Sequence, residues 1–218
     1  NLRGEFWVKE VRIGRYGPQT VAVLKELGLE RGRIGVFGLD SWGPGEFDGL
    51  VPYRMWQTVL EGLPNAEFVD VSVPFKKLML VKSEEELELY RYSGKVGDIA
   101  CRAMLEATAA GVPETEIYAA VQHAIYVHGA DAWWPHLNLA VGADDLGWGP
   151  PIWIYRGGEP RIVREGDLVQ AEIFPCYAGA ETQQQMCVAV GPVPDLHYEL
   201  AEVAEKSLAE GAKVLRAG

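Results

Sequence analysis

Residues 166–191 read GDLVQAEIFPCYAGAETQQQMCVAVG. Two runs rich in strand formers, LVQAEIF and TQQQMCVAV, flank a segment holding Pro175 and Gly179, which predicts an antiparallel hairpin. Side chains alternate along a strand, so Gln170, Glu172 and Phe174 share one face. On the return strand Gln183, Gln185 and Cys187 share a face, while Met186, Val188 and Val190 share the other. With Glu172 set opposite Gln183, the residues Gln170, Glu172, Gln183 and Gln185 form one polar surface on an otherwise apolar hairpin. That surface is either solvated or, if buried, the wall of a pocket, because buried polar groups need partners. Cys187 on the same face reads as small packing rather than a nucleophile, since no His can be assigned beside it.

Working outward, LNLAVG (137–142) and PIWIYRGG (151–158) before the hairpin are strand-like. Ahead of them stand two amphipathic helices. Ser83 and Glu86 match a capping box, and Leu87, Tyr90, Ala100, Cys101, Met104, Leu105 and Thr108 recur at helical spacing up to Gly111. Pro113 opens the second, with Ile117, Ala120, Val121, Ala124 and Ile125 on one face and Gly129 at its end. After the hairpin, residues 196–215 read as a helix. The first 80 residues have a different rhythm: helix over 18–29, strand over 33–39, helix over 52–64, strand over 66–72. That order predicts parallel pairing in a small α/β unit. The composition shifts near residue 82, so the chain divides into 1–80 and an α+β body, 81–218.

The bulk numbers narrow the functional classes. A net charge of −11 over 218 residues repels phosphate backbones and disfavours nucleic acid or anionic membranes as partners. No apolar run approaches the ~20 residues needed to span a bilayer, and the start, NLRGEFWVKE, has no signal-peptide core. Cys101, Cys176 and Cys187 form no C-x-x-C pair, which argues against a disulfide framework or a Cys-rich zinc site and for reduced thiols in a cytoplasmic protein. The chain begins with Asn and stops just after a helical pattern, so it reads as an internal fragment.

Three segments carry a resemblance to a known family. FVDVSVPFKKLMLVKSEEELELYRYSGKVGD resembles the junction at which the small N-terminal domain of the creatinase/aminopeptidase P/prolidase enzymes, peptidase family M24, passes into the first helix of the catalytic "pita-bread" domain. GVPETEIYAAVQHAIYVHGA resembles that domain's second helix, and EGDLVQAEIFPCYAGAETQQQMCVAVG resembles its metal-binding hairpin. FPCYAGAET is similar to the creatinase form of that hairpin in particular. The resemblance implies that 1–80 is the C-terminal part of a creatinase-like N-terminal domain, and 81–218 the N-terminal half of a pita-bread domain. It also implies hydrolysis of a C–N bond in a small substrate, either an Xaa-Pro dipeptide or a creatine-like amidino or amide compound, by a homodimer.

Where the metallopeptidase members place two aspartates that hold a divalent metal (Mn, Co or Zn), this chain has Glu172 and Gln183. Hard divalent ions prefer anionic oxygen, and Gln183 is neutral. The family's Arg-Thr pair falls on Met186 and Cys187, and creatinase's hairpin glutamate on Gln185. The family's loop His falls on Trp148 or Gly149, and there is no His in 137–196. The remaining family ligands, a His and two Glu, belong to later strands. Glu172, Gln183, Gln185 and Trp148 are therefore expected to line a substrate pocket through hydrogen bonds and stacking rather than through metal. A pita-bread homologue that has lost catalysis and acts as a binding protein is the alternative.

Other candidates are weaker. His123 and His128 are five residues apart and do not share a helix face. His136 reads as packed or surface, and His197 as exposed. Asp144 and Asp145 suit a turn better than a cation site. Trp153 stacks on a ligand or packs in a core. No G-x-x-G stretch has the strand–loop–helix setting of a nucleotide fingerprint.

Overall fold

The computed structural model describes residues 10–39, 51–143, 151, 153–154 and 157–216, and the side chains of 133–136 are outside what is described. The chain splits into two compact units, Asn1–Lys82 and Ser83–Gly218.

In the first unit α1 (Tyr16–Glu26), β1 (Arg33–Val36), α2 (Tyr53–Gly62) and β2 (Glu67–Asp70) follow the expected order. β1 and β2 pair in parallel, with Arg33 beside Glu67 and Val36 beside Asp70. Trp56 from α2 meets Phe68 of β2 edge-on at 5.1 Å. A third helix, α3 (Ser72–Leu80), follows where the sequence pattern carried only the end of a strand. Pro74 sits in its first turn, where a missing N–H costs nothing. Asp70 Oδ1 accepts from the Ser72 backbone N–H (2.8 Å) and hydroxyl (2.5 Å), fixing the helix start. Those two bonds hold the Asp70 carboxyl below its ordinary range.

The second unit is the α+β body. α4 (Glu84–Ala107) begins at the expected capping box: Ser83 Oγ accepts from Glu86 N–H at 3.2 Å and Glu86 Oε2 accepts from Ser83 N–H at 2.7 Å. It stops at Ala107, four residues short of Gly111: the backbone turns extended at Thr108, and Gly111 N–H donates to Val163 O. α5 (Glu114–Val127) starts after Pro113 as read from the sequence. Both helices lie against a sheet of β3 (Asp131–Gly142), β4 (Leu168–Tyr177), β5 (Ala180–Glu181) and β6 (Gln184–Ala189), with β4 in the middle. The segment 151–158, expected as a strand, is helical at Trp153 and Ile154. A final helix, α6 (Asp195–Val214), has no buried residue.

The core is one face of that sheet under the helices. Val96, Ala100 and Met104 of α4 and Ile117, Val121 and Ile125 of α5 meet Leu137, Leu139, Val169, Ala171 and Ile173. Each fully buried Leu, Ile or Val contributes about 1.5–3 kcal/mol of transfer free energy. α4 approaches the hairpin closely at Gly97, where an added Cβ would lie 2.0 Å from the Gln184 amide oxygen. Beside it Ser93 donates to Pro175 O at 2.8 Å and lies 3.2 Å from Thr182 Oγ1.

Candidate functional site

The hairpin closes through Ala178 (φ +50°) and Gly179 (φ +87°), a two-residue turn between Tyr177 and Ala180. Two left-handed residues give the twist that joins antiparallel strands tightly. Pro175 is inside β4, not in the turn. Its carbonyl accepts Thr182 N–H at 3.0 Å, so its missing N–H falls on the same side, opposite Thr182 in the gap between β5 and β6, where no ladder bond is lost.

This turn corrects the expected register. Glu172 pairs with Gln185 rather than Gln183, and Gln170 pairs with Cys187. The shared face survives the correction, because a two-residue shift preserves the side on which each side chain stands. Gln183 still reaches Glu172, as a diagonal cross-strand neighbour. On the other side of β4, Glu172 pairs with Asn138 of β3.

Glu172 is 6% exposed. Its carboxylate accepts from three neutral amides: Oε1 from Gln185 Nε2 at 2.8 Å and from Gln183 Nε2, and Oε2 from Asn138 Nδ2 at 2.6 Å. Gln183 and Gln185 are exposed, so the carboxylate lies beneath a layer of amides on the side of the sheet away from the helices. The acid is thus neither solvated nor lining an apolar pocket. It is desolvated, its partners among the described residues are N–H donors, and hydrogen bonds to a charged acceptor are stronger than neutral ones. Asn138 was missed in the sequence. Its position between Leu137 and Leu139 marks it as the polar alternate of an otherwise apolar strand, but only the β3–β4 register connects it to Glu172.

Trp148, Gly149, Asp144 and Asp145 lie outside the described residues, as does the His136 side chain. Trp153 packs edge-on against Tyr118 at 5.5 Å. His128 closes α5 with its ring Nδ1 2.8 Å from Ala124 O. Cys187 stands on the Glu172 face and is exposed rather than packed as expected, and partial desolvation pushes its thiol up, the direction opposite to activation.

The residues present do not suit a divalent metal pair. One carboxylate, already engaged on both oxygens by N–H donors, faces neutral amides. Among the described residues no group of three or more His, Cys, Asp or Glu side chains is arranged to hold an ion.

Comparison with known proteins bears on the same hairpin. Residues 88–218 match the sequence model of metallopeptidase family M24. A creatinase from Bacillus sp. (strain B-0618) is 29% identical over 212 residues, which is 90% of this chain and 45% of that protein. An Xaa-Pro dipeptidase of Pyrococcus furiosus is 23% identical over 169 residues, 76% of this chain and 47% of that protein. The chain spans about half the length of the curated relatives it matches. In three dimensions an Xaa-Pro dipeptidase from Bacillus anthracis superposes with a TM-score of 0.72 at 21% identity, over 95% of this chain and 53% of that one. An X-Pro aminopeptidase from Thermotoga maritima gives 0.70 at 18% identity, over 98% and 56%. These likenesses show a shared fold. No helix among the described residues is long and apolar enough to cross a membrane.

Proposed function

Because this chain belongs to metallopeptidase family M24, we propose that it is part of a pita-bread hydrolase that cleaves a C–N bond in a small substrate. The substrate is an Xaa-Pro dipeptide or a creatine-like amidino or amide compound, held at a site poor in metal ligands. In this reading 1–80 is the end of a creatinase-like N-terminal domain and 81–218 the first half of the catalytic-type domain. The protein works as a cytoplasmic homodimer, and Glu172, Gln183, Gln185 and Trp148 line the substrate side. The observation that carries it is the polar face of the hairpin. A carboxylate and two exposed glutamines converge at the position equivalent to the family's metal hairpin. Glutamine amides both donate and accept hydrogen bonds, which suits them to holding a peptide or an amidino group.

The test is hydrolysis of Xaa-Pro dipeptides and of creatine by the full-length protein, followed by mass spectrometry. Turnover of either supports the reading. Failure of both, with binding of one retained, favours the second reading, a pita-bread homologue that binds without catalysing. That second reading is favoured by the neutral amides at the metal positions and by the lack of any His in 137–196. The 218-residue chain alone is expected to be inactive as a peptidase; Mn²⁺- or Co²⁺-dependent Xaa-Pro cleavage by it would contradict this.

A further inference from the structure

We propose that Asn138, Gln183 and Gln185 form an amide lock that takes the place of a divalent ion on Glu172 and excludes one, with Asn138 as a positioning residue of the site. The proposal concerns this chain's own side chains and stands whether the whole protein is a hydrolase or a binding homologue.

The orientation of the three amides is dictated by charge. Turned the other way, each would set a carbonyl oxygen against a carboxylate oxygen, acceptor against acceptor. All three therefore present N–H to Glu172. An ion bound there would meet those same N–H groups, whose positive ends repel it. Oε1 takes two donors and Oε2 a third, so an ion would have to displace hydrogen bonds to a charged acceptor before it gained a ligand. What it would gain is one negative charge, where hard cations favour several anionic oxygens.

Asn138 adds a second observation. Its Oδ1 is buried and, among the described residues, has no hydrogen-bond partner. A buried carbonyl without a partner is unfavourable, and rotating the amide would put that oxygen toward Glu172. Asn138 thus keeps its donor on the carboxylate at the expense of its own acceptor. The acceptor on Glu172 takes precedence over the donor need of Asn138 Oδ1, and the carboxylate is fixed by N–H groups.

The experiment compares melting temperatures of the 218-residue chain in EDTA and in millimolar Mn²⁺, with Mn²⁺ electron paramagnetic resonance as a direct count of bound ion. The wild type is expected to melt within about 1 °C in the two buffers. Gln183→Asp, at an exposed position, puts a second carboxylate beside Glu172. It is expected to melt lower in EDTA and to recover by about 4 °C or more in Mn²⁺. Asn138→Asp is expected to behave alike, whereas Asn138→Leu loses stability that Mn²⁺ does not restore. A merely structural Asn138 would give the same loss for both variants and no metal response. If Asn138→Asp fails to fold, Gln183→Asp still decides. The lock is overturned if the wild type gains about 4 °C in Mn²⁺ and Glu172→Gln abolishes the gain. It is equally overturned if Gln183→Asp folds and neither binds Mn²⁺ nor responds to it.

Discussion

Two carboxylates five residues apart on the same segment are buried to nearly the same degree and compensated in opposite ways. Asp167 is 3% exposed and Glu172 6%. Asp167 takes a cation: Arg161 Nη2 lies 3.1 Å from Oδ1, and Oδ2 accepts the Arg164 backbone N–H at 2.9 Å. Glu172 takes three neutral amides, with no arginine, lysine or histidine among its hydrogen-bond partners in the described residues. The first arrangement is the usual structural solution, a charge tied to a turn by a counter-charge and backbone. The second offsets burial with amide dipoles and brings no counter-charge. The hairpin face at Glu172 is thus held by dipoles, and the corner at Asp167 by a counter-charge.

The largest break in the comparison comes from Asp167→Ala. It strips the Arg164 N–H of its acceptor and leaves Arg161 unpaired, so chemical denaturation is expected to report a loss of about 2–3 kcal/mol. Next is Glu172→Gln. Its amide oxygen can still accept from Gln183 and Gln185, but its N–H faces Asn138, whose amide must rotate to offer Oδ1 and so buries Nδ2 in place of that oxygen, and all three bonds lose their charged acceptor. A loss of about 1–2 kcal/mol is expected. The same urea titrations would equalise the two sites if Glu172→Gln proved neutral.

Salt sharpens the contrast further. The Arg161 side chain is 43% exposed, so its attraction to Asp167 is open to screening, while the amides carry no net charge to screen. Arg161→Gln is expected to cost about 0.5–1 kcal/mol at low salt and less in concentrated NaCl, with the Glu172 site unchanged. The smallest effect belongs to Glu181, a third acid of the hairpin, whose carboxyl is pushed up from its ordinary value by burial alone. Its folded state prefers the protonated form. It therefore adds stability at pH below its unfolded value, and that stability is lost as pH rises through the carboxylate range. Glu181→Gln should flatten this part of the stability–pH curve, raising stability at neutral pH by a few tenths of a kcal/mol.

Much of this was readable from the sequence, for definite reasons. The two-residue period of a strand set Glu172, Gln183 and Gln185 on one face in both the expected register and the observed one, which differ by two residues. The Ser83/Glu86 capping box and the Pro113 start are local signals, and both hold. The register itself was not readable, because Pro175 drew the turn toward itself and Ala178 gives no sign of a left-handed conformation. α3 was hidden because VSVPFKKLML begins with β-branched residues and a proline. Trp153 and Ile154 read as strand from their bulk but lie in a helical turn. Asn138 could not be assigned to the site, since its partner lies 34 residues away and no spacing rule links them.

That separation has a consequence for the order of assembly. Gln183 and Gln185 stand 11 and 13 residues from Glu172, across one tight turn. Asn138 closes a loop of 34. Chain closure grows costlier with the logarithm of loop length, about 1 kcal/mol between these two spans. A hairpin forms in microseconds, before pairing that is distant in sequence. The glutamines therefore reach the acid first and hold it while β3 is still unpaired. The asparagine arrives last, as the latch that records that the whole sheet has formed.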